Sequence, residues 1–275
     1  NTKNPQALIV GLPPKDVTLD LVEPFAGSND WWSGAGDELS NTLTRTVSVP
    51  ATGSSSLSFQ ANWDIEDCGD TPCDYAYVEV DAGAGFQAVP VPGITNPAEN
   101  NGIDGTSGGW KAGTVDLAAY AGKTIDIRFR YATDPAAGGI GFFADDVTLN
   151  LGGTTDVDGA EDAANSAWTA DGFSAVGATS TFKANHYYIA SYRAYTSYDA
   201  YLKTGPYNFG FLNTNGNKVE HFPYQDGLLV SYWDTSFTDN NKSEHPGQGL
   251  ILPIAPPPVP LLRNDCTPWR ARAQA

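Results

Sequence analysis

The 275-residue sequence has no methionine, few cationic side chains and no long apolar run. Its 15 Lys and Arg oppose 32 Asp and Glu, a net charge of −17, which argues against a nucleic-acid partner because phosphate backbones bind basic surfaces. No stretch approaches the roughly 18 consecutive apolar residues of a membrane-spanning helix. We therefore expect no nucleic-acid binding and no membrane span. The start at Asn1, without a signal-peptide pattern, is typical of a mature or excised segment.

The histidines lack the spacing of a catalytic zinc site. His186, His221 and His245 lie far apart, whereas common zinc proteases need two histidines one helical turn apart with a glutamate between them. We therefore expect no catalytic residue in this chain. Two acids facing each other across a cleft would be the remaining route to hydrolysis, and we rank it last.

The three cysteines favour a disulfide over a metal site. Cys68 and Cys73 bracket Gly-Asp-Thr-Pro, a turn sequence that can bring both within bonding distance. A Cys68–Cys73 disulfide and the acidic composition together predict a secreted, extracellular protein. A reduced pair in a loop is the alternative, and zinc is less favoured because no second Cys or His pair has ligand spacing. Cys266 has no assigned partner.

Alternation of apolar and polar residues with a period of two recurs along the chain, whereas the helical period is scarce. In residues 124–131 the alternate side chains Ile125, Ile127, Phe129 and Tyr131 are apolar, which predicts a half-buried strand. Similar alternation occurs around residues 43–49, 57–63 and 147–151, between Gly and Pro turn signals. We therefore predict an all-β fold built on an antiparallel jelly-roll β-sandwich.

A change in residue composition near Gly152-Gly153 predicts a boundary between two domains. The first, 1–152, would be the jelly-roll sandwich. The second, 153–275, would be a smaller β-rich domain, dense in aromatics, with an apolar strand over residues 228–233. Residues 253–260 are proline-rich, which favours an extended strap.

Acidic residues cluster at predicted strand ends, above all at Asp145 and Asp146. Asp145 occupies the same alternate positions of the strand as the apolar residues Phe143, Val147 and Leu149. In a regular strand its carboxylate would therefore point towards the core. An unpaired buried carboxylate is costly, so either a β-bulge turns Asp145 outward or a cation neutralises it. Calcium, with six to eight oxygen ligands, is the natural candidate for a structural ion. The further predicted ligands are acids at other strand ends: Asp64, Glu66, Asp74 and Asp37.

Two alternatives stay open for the acidic groups, which also include Asp67, Asp70 and a third group of Asp30, Asp37 and Glu38. They can converge on one calcium ion if the strands form one jelly roll. They can equally be solvated acids on the loops of an acidic protein.

Trp31 and Trp32 are adjacent in a polar Gly-Ser loop. Such a pair can form a ligand-stacking platform for sugars on a β-sandwich. We favour a role in capping the end of the sandwich, because an exposed platform is an apolar surface that needs a ligand to justify it. An independent carbohydrate-binding or adhesion module is therefore our alternative function.

Both halves of the sequence contain ordered strings of uncommon residues. They are Trp31-Trp32-Ser-Gly-Ala-Gly-Asp37, Trp63-Asp-Ile-Glu66, Phe142-Phe-Ala-Asp-Asp146, His186-Tyr-Tyr188, Phe222-Pro-Tyr-Gln-Asp-Gly-Leu-Leu-Val230 and His245-Pro-Gly-Gln-Gly249. In this order they resemble the region after the catalytic domain of the immune inhibitor A metalloproteases. The resemblance covers nearly the whole chain.

The resemblance implies a MAM-like jelly roll and a smaller β-rich domain, both accessory parts of a secreted bacterial zinc protease. The family's zinc helix has no counterpart here, so Zn²⁺ would belong only to the missing catalytic domain. The implied partners are that domain of the same parent protein and, further, protein substrates or surface glycans. Family members are calcium-stabilised, and Asp145-Asp146 fits that pattern best. The chain departs from the family at Ile254-Ala-Pro-Pro-Pro258, where relatives carry an acid and a histidine before proline.

Overall fold

The computed structural model describes residues 7–67, 69, 73–135, 138–196, 200, 226–241, 243 and 245–254. Seventeen strands and three short 3₁₀ helices account for the regular structure of these residues, which confirms the all-β prediction. The strands are β1 Ala7–Gly11, β2 Lys15–Asp20, β3 Asp30–Trp32, β4 Ser40–Ser48, β5 Ser55–Asp64, β6 Tyr75–Asp81, β7 Gln87–Ala88, β8 Lys111–Asp116, β9 Thr124–Ala132, β10 Gly141–Leu151, β11 Thr154–Asp158, β12 Thr169–Asp171, β13 Ser174–Val176, β14 Thr179–Ala184, β15 His186–Arg193, β16 Gly227–Asp234 and β17 Ile251–Pro253. The 3₁₀ helices are Pro97–Glu99, Ala118–Tyr120 and Ala163–Asn165.

The chain forms two compact units. One is Thr18–Ser180, and the other combines Asn1–Val17 with Thr181–Ala275. The larger unit thus continues past the boundary that we predicted at residue 152, because β11, β12 and β13 pair with β10, β4 and β3. Strand β1 belongs to the smaller unit, where it pairs with β15. The paired strands β2 and β14 contain the two points at which the chain passes between the units.

The larger unit is a sandwich of two antiparallel sheets. One sheet has the order β13-β3-β10-β5-β8, with β11 also on β10, and the other has the order β12-β4-β9-β6-β7. Their inner faces supply one hydrophobic core. Within it, the Phe129 ring meets Phe59 edge-on, with centroids 5.0 Å apart, and stacks on Phe142 at 5.8 Å.

Strand β9 follows the predicted alternation. Its apolar side chains Ile125, Ile127, Phe129 and Tyr131 are all buried in the core. On the opposite face, Arg128 and Arg130 both pair with Glu79 of β6, at 2.5 and 3.1 Å. The half-buried strand expected from the sequence is therefore confirmed.

Strand β10 contains a β-bulge at its acidic pair. Its register with β5 shifts between Asp145 and Thr148, and Asp146 has a left-handed φ of 47°. The core side of the strand accordingly carries Phe142 and Ala144 before the bulge and Val147 after it. The parity prediction that turned Asp145 towards the core was therefore wrong. The alternative of a bulge that turns the side chain outward is the one observed.

The smaller unit contains an antiparallel sheet of the order β1-β15-β16-β17. Strand β16 includes the apolar segment that we predicted as a strand over residues 228–233. His186 begins β15, where its Nε2 lies 2.7 Å from the carbonyl oxygen of Pro13 and its Nδ1 lies 2.8 Å from the hydroxyl of Tyr232. Because a carbonyl only accepts, Nε2 donates to Pro13, and this imidazole is structural. In the described part of the chain, no helix has both the length and the apolar character needed to cross a membrane.

Candidate functional site

Asp145 occupies a buried position on the outer face of β10, with no exposed surface. Its Oδ2 accepts a hydrogen bond from the Ala26 amide at 2.9 Å, and its Oδ1 accepts one from the Asp146 amide at 2.6 Å. Burial raises the pKa of Asp145, and the amides that donate to it oppose that rise. The bulge therefore removes Asp145 from the core and places it beneath the loop that carries Ala26.

Asp30 lies beside Asp145 on the neighbouring strand, since Trp31 of β3 pairs with Ala144 of β10. It is completely buried, and among the residues that the structure describes neither of its carboxylate oxygens has a hydrogen-bond partner. Burial, and then the charge of Asp145, raise the pKa of Asp30 to about 8. Two adjacent buried carboxylates of this kind need either a proton or a cation between them. We call Asp30, Asp145 and Asp146 the outer-face acidic pocket.

The glycine at 159 lets the backbone close directly over the outer-face acidic pocket. A Cβ atom on Gly159 would lie 3.2 Å from Oδ1 of Asp145 and 3.8 Å from Oδ1 of Asp146. The neighbouring Asp158 is already satisfied, because it accepts hydrogen bonds from the indole of Trp31, the amide of Ala160 and the hydroxyl of Ser166. Asp158 is therefore a structural residue of the pocket wall.

Two of the other predicted ligands meet at a different place. Glu66, Asp74 and Asp134 each offer a carboxylate oxygen, and these atoms all lie within 4.8 Å of one another. Glu66 follows β5, Asp74 precedes β6 and Asp134 follows β9. Burial raises the pKa of Asp74, and the hydrogen bond from the Asp134 amide opposes this rise. The charges of Asp134 and Asp37 raise the pKa of Asp74 further, so Asp37 acts on the same group. We call Glu66, Asp74 and Asp134 the strand-end trio.

The predicted ligand set is thus divided between two positions. Asp64 pairs with Gly141, and Asp145 is four residues further along β10, about 13 Å at the usual rise of a strand. Asp64 itself is exposed and accepts a hydrogen bond from the hydroxyl of Thr106 at 3.0 Å. One position contains Asp145 and Asp146 together with Asp30. The other contains Glu66 and Asp74 together with Asp134. Our sequence analysis named Asp30 only in the third acidic group and did not name Asp134.

The tryptophan pair is engaged in packing. Trp31 is 2% exposed, lies in the core and donates through Nε1 to Asp158 at 2.9 Å. Trp32 is half-buried, stacks on Phe143 and donates through Nε1 to the carbonyl of Ile140 at 2.6 Å. The structure therefore leaves Trp31 no free ring face for a sugar, in line with the capping role that we favoured.

The predicted disulfide involves Cys68, which lies outside the described residues, as does Cys266. Cys73 is described, and its Sγ lies 3.7 Å from the carbonyl oxygen of Glu66. The pairing of Cys68 with Cys73 stays a prediction. Most of the proline-rich strap, from residue 255 onward, also lies outside the described residues.

A serine motif that our sequence reasoning passed over has a structural role. Residues 105–109 read Gly-Thr-Ser-Gly-Gly, the pattern of a nucleophile elbow. Ser107 is buried, its hydroxyl donates to Asn62 at 2.6 Å and accepts from the Trp63 amide at 3.1 Å, and it lies in a loop before β8. A nucleophile elbow needs a strand-to-helix turn with an exposed hydroxyl, so this serine is not one. Its hydrogen bonds to Asn62 and Trp63 fasten the loop to β5.

One face of the sheet in the smaller unit is apolar and exposed. Direct cross-strand partners share a face, and the register pairs Val10 with Tyr188 and Tyr192 with Leu228. Leu8 lies two residues from Val10 on the same face and is 63% exposed, and Leu228 is 69% exposed. A shallow groove on this face is lined by residues that include His186, Tyr188, Tyr232, Leu252 and Ile254. We call Leu8, Val10, Tyr188, Tyr192 and Leu228 the apolar face.

A sandwich of two antiparallel sheets followed by a smaller β-rich unit defines this chain as a pair of β modules, and sequence comparisons give the family. The model of the immune inhibitor A-like MAM domain matches residues 1–178, and that of the immune inhibitor A-like metallopeptidase VEG domain matches residues 181–275. The chain belongs to the immune inhibitor A-like metallopeptidase family. The junction between the two matches falls at the end of the larger compact unit.

Two kinds of curated relative match most of the chain. The pre-pro-metalloprotease PrtV of Vibrio cholerae is 31% identical over 255 residues, which are 91% of this chain and 25% of that protein. Immune inhibitor A of Bacillus thuringiensis subsp. alesti is 28% identical over 255 residues, 91% of this chain and 33% of that protein. The chain therefore spans a quarter to a third of the length of these relatives.

Proposed function

We propose that this chain is the non-catalytic C-terminal portion of a secreted, extracellular zinc metalloprotease, where it stabilises and docks the catalytic domain and helps to position protein substrates. The observation that carries the proposal is the match of consecutive MAM and VEG domains of a metallopeptidase family across the two compact units. The Zn²⁺ of the parent protein would be bound outside this chain, since its three histidines lack ligand spacing.

The apolar face supports the docking part of the proposal. Contiguous exposed apolar side chains on a soluble protein are typical of an interaction surface, because burying them in a partner removes them from water. Leu8 and Leu228 are the most exposed members, and two tyrosines supply ring surface with a polar end. In the parent protein this face would contact the catalytic domain.

Substituting the apolar face in the parent protease tests the docking. Leu8→Lys with Leu228→Lys places two charges in the proposed contact, so we expect a shorter half-life of peptidase activity on heating. Val157→Lys is a matched control, because Val157 is 57% exposed but lies on β11 in the larger unit. A double variant with the wild-type half-life would refute docking through this face.

The outer-face acidic pocket supports a structural role for calcium. Asp30 supplies two buried oxygens that have no hydrogen-bond partner among the described residues, and Asp145 and Asp146 add further carboxylate oxygens. These are the donors that Ca²⁺ prefers, and burial makes the site costly without a cation. In this proposal a structural Ca²⁺ fastens β3 to β10 and stabilises the sandwich that the parent protease carries.

A further inference from the structure

The strand-end trio lies where three strands of the sandwich end. Strand β5 belongs to one sheet, and β6 and β9 belong to the other. Glu66 comes two residues after β5, Asp74 directly before β6 and Asp134 two residues after β9. The three carboxylates therefore come from both layers of the sandwich and converge at one of its ends.

Two buried polar atoms at this end have no hydrogen-bond partner among the described residues. Asp74 has no exposed surface. Its Oδ1 accepts a hydrogen bond from the Asp134 amide at 2.8 Å, whereas its Oδ2 accepts none from the described part of the chain. The hydroxyl of Tyr131 belongs to a completely buried residue and likewise has no hydrogen-bond partner within the described ranges. Burial, and then the charges of Asp74 and Asp64, raise the pKa of this phenol, so the hydroxyl lies in the field of these carboxylates. Unsatisfied buried groups call for a ligand, since native proteins leave few of them.

The spacing of the trio suits a calcium ion. Oxygens on opposite sides of a Ca²⁺ ion are about 4.8 Å apart, because each lies about 2.4 Å from the metal. The carboxylate oxygens of the trio all lie within 4.8 Å of one another, so one ion can touch all three. Glu66 and Asp134 are half-buried, which leaves the ion a path from solvent.

Two members of the strand-end trio lack a Lys or Arg partner within the described residues. In the part of the chain that the structure describes, neither Glu66 nor Asp74 forms an ion pair with Lys or Arg. Arg130, which precedes Tyr131 on β9, pairs with Glu79 at 3.1 Å. Burial, and then the charges of Asp134 and Asp74, raise the pKa of Glu66. The trio thus has the charge and the geometry of a cation site.

We propose that Glu66, Asp74 and Asp134 form a second Ca²⁺ site, separate from the outer-face acidic pocket. The ion joins the end of β5 to the ends of β6 and β9 and so holds the two sheets together at this end. The site does not depend on the calcium bound by Asp30 and Asp145. Calcium is favoured over magnesium because Mg²⁺ needs oxygens at about 2.1 Å in a rigid octahedron and retains its waters.

Calcium stoichiometry of the 275-residue chain tests this proposal. The chain is stripped with EGTA, dialysed and titrated with CaCl₂ by isothermal calorimetry, with MgCl₂ in parallel. We expect two bound Ca²⁺ in the wild type and one in Glu66→Gln with Asp74→Asn. The pair Asp30→Asn with Asp145→Asn is expected to lose the other ion. Asp171→Asn removes an exposed carboxylate of β12 and should still bind two.

The outcomes separate the two sites. If Glu66→Gln with Asp74→Asn keeps the wild-type calcium stoichiometry and affinity, the proposal is overturned. It is also overturned if the wild type binds one Ca²⁺ ion and Asp30→Asn with Asp145→Asn loses that ion. A single ion lost only in Glu66→Gln with Asp74→Asn supports this site and overturns the other. If near-UV circular dichroism shows that the double variant is unfolded, Glu66→Gln alone, at the half-buried rim, should weaken one of two sites at least tenfold. Unchanged binding by this single variant again overturns the proposal.

Discussion

The buried carboxyl of Asp30 should make the calcium-free protein less stable as the pH rises. Its pKa is raised from 3.8 to about 8 in the folded chain, so between these values the folded state binds a proton that the unfolded state has released. The stability that this proton supplies is complete below the unfolded pKa and is lost as the pH rises through the folded pKa. Without a cation, Asp30 therefore opposes folding at neutral and alkaline pH.

The magnitude follows from the pKa difference. Each unit of pH within the window is worth about 1.36 kcal/mol, so Asp30 alone costs about 4 kcal/mol between pH 5 and pH 8. This value is an upper bound, because water entry and relaxation around Asp30 lower it. Asp30→Asn removes the ionisable proton and keeps the shape. We therefore expect the calcium-free variant to be more stable than the wild type at pH 8 and to differ from it far less at pH 5.

Urea unfolding followed by tryptophan fluorescence measures this difference, in EGTA at pH 5 and pH 8 for wild type, Asp30→Asn and the exposed control Asp171→Asn. Calcium should stabilise the wild type at pH 8 by RT ln(1 + [Ca²⁺]/Kd) and should stabilise Asp30→Asn less, since a ligand has been lost. Equal pH dependence in the wild type and in Asp30→Asn would refute the reasoning, because it would show that Asp30 is ionised in the folded protein at little cost.

Three further predictions concern the whole chain. Mass spectrometry of the unreduced protein should find Cys68 bonded to Cys73, and two free thiols would contradict the turn argument. Phe129→Ala should lower the free energy of unfolding by about 3 to 5 kcal/mol, because it opens a cavity where Phe59, Phe142 and Trp168 contact the ring. Chemical denaturation measures this loss, and a loss below about 1 kcal/mol would contradict the prediction. The purified chain should not cleave casein with or without Zn²⁺, and chelator-sensitive cleavage by a homogeneous sample would contradict the absence of a zinc-binding pair.

The sandwich was predictable where strands are long and alternate. Strand β9 follows its period of two over nine residues, and β5 does so over ten. The domain boundary was harder to predict because β12 and β13 have three residues each, too few to show a period. Strand β1 could not be placed either, since its partner β15 begins almost 180 residues later and such pairing leaves no local signal.

The acidic sites were predictable as strand ends but not as ligand sets. Asp145 was identified from a parity that the bulge reverses, so the position was informative although the predicted direction was wrong. Asp30 sits in a strand of three residues, and its place beside Asp145 depends on the pairing of β3 with β10. Asp134 follows β9 without an acidic neighbour in the sequence. Only its position just after a buried strand could have identified it as a candidate ligand.

The distribution of cationic side chains explains why such a chain would use metal ions at these two places. The described ion pairs direct Arg128 and Arg130 to Glu79, Arg45 to Asp156 and two lysines to Asp16 and Asp234. None of them reaches Asp30, Asp145, Glu66 or Asp74 in the described residues, although these are among the more buried acids. A buried carboxylate without a protein cation is stable only as the neutral acid or beside a bound ion. In a chain of net charge −17, a bound Ca²⁺ would supply two positive charges at each proposed site, where the described ion pairs supply none.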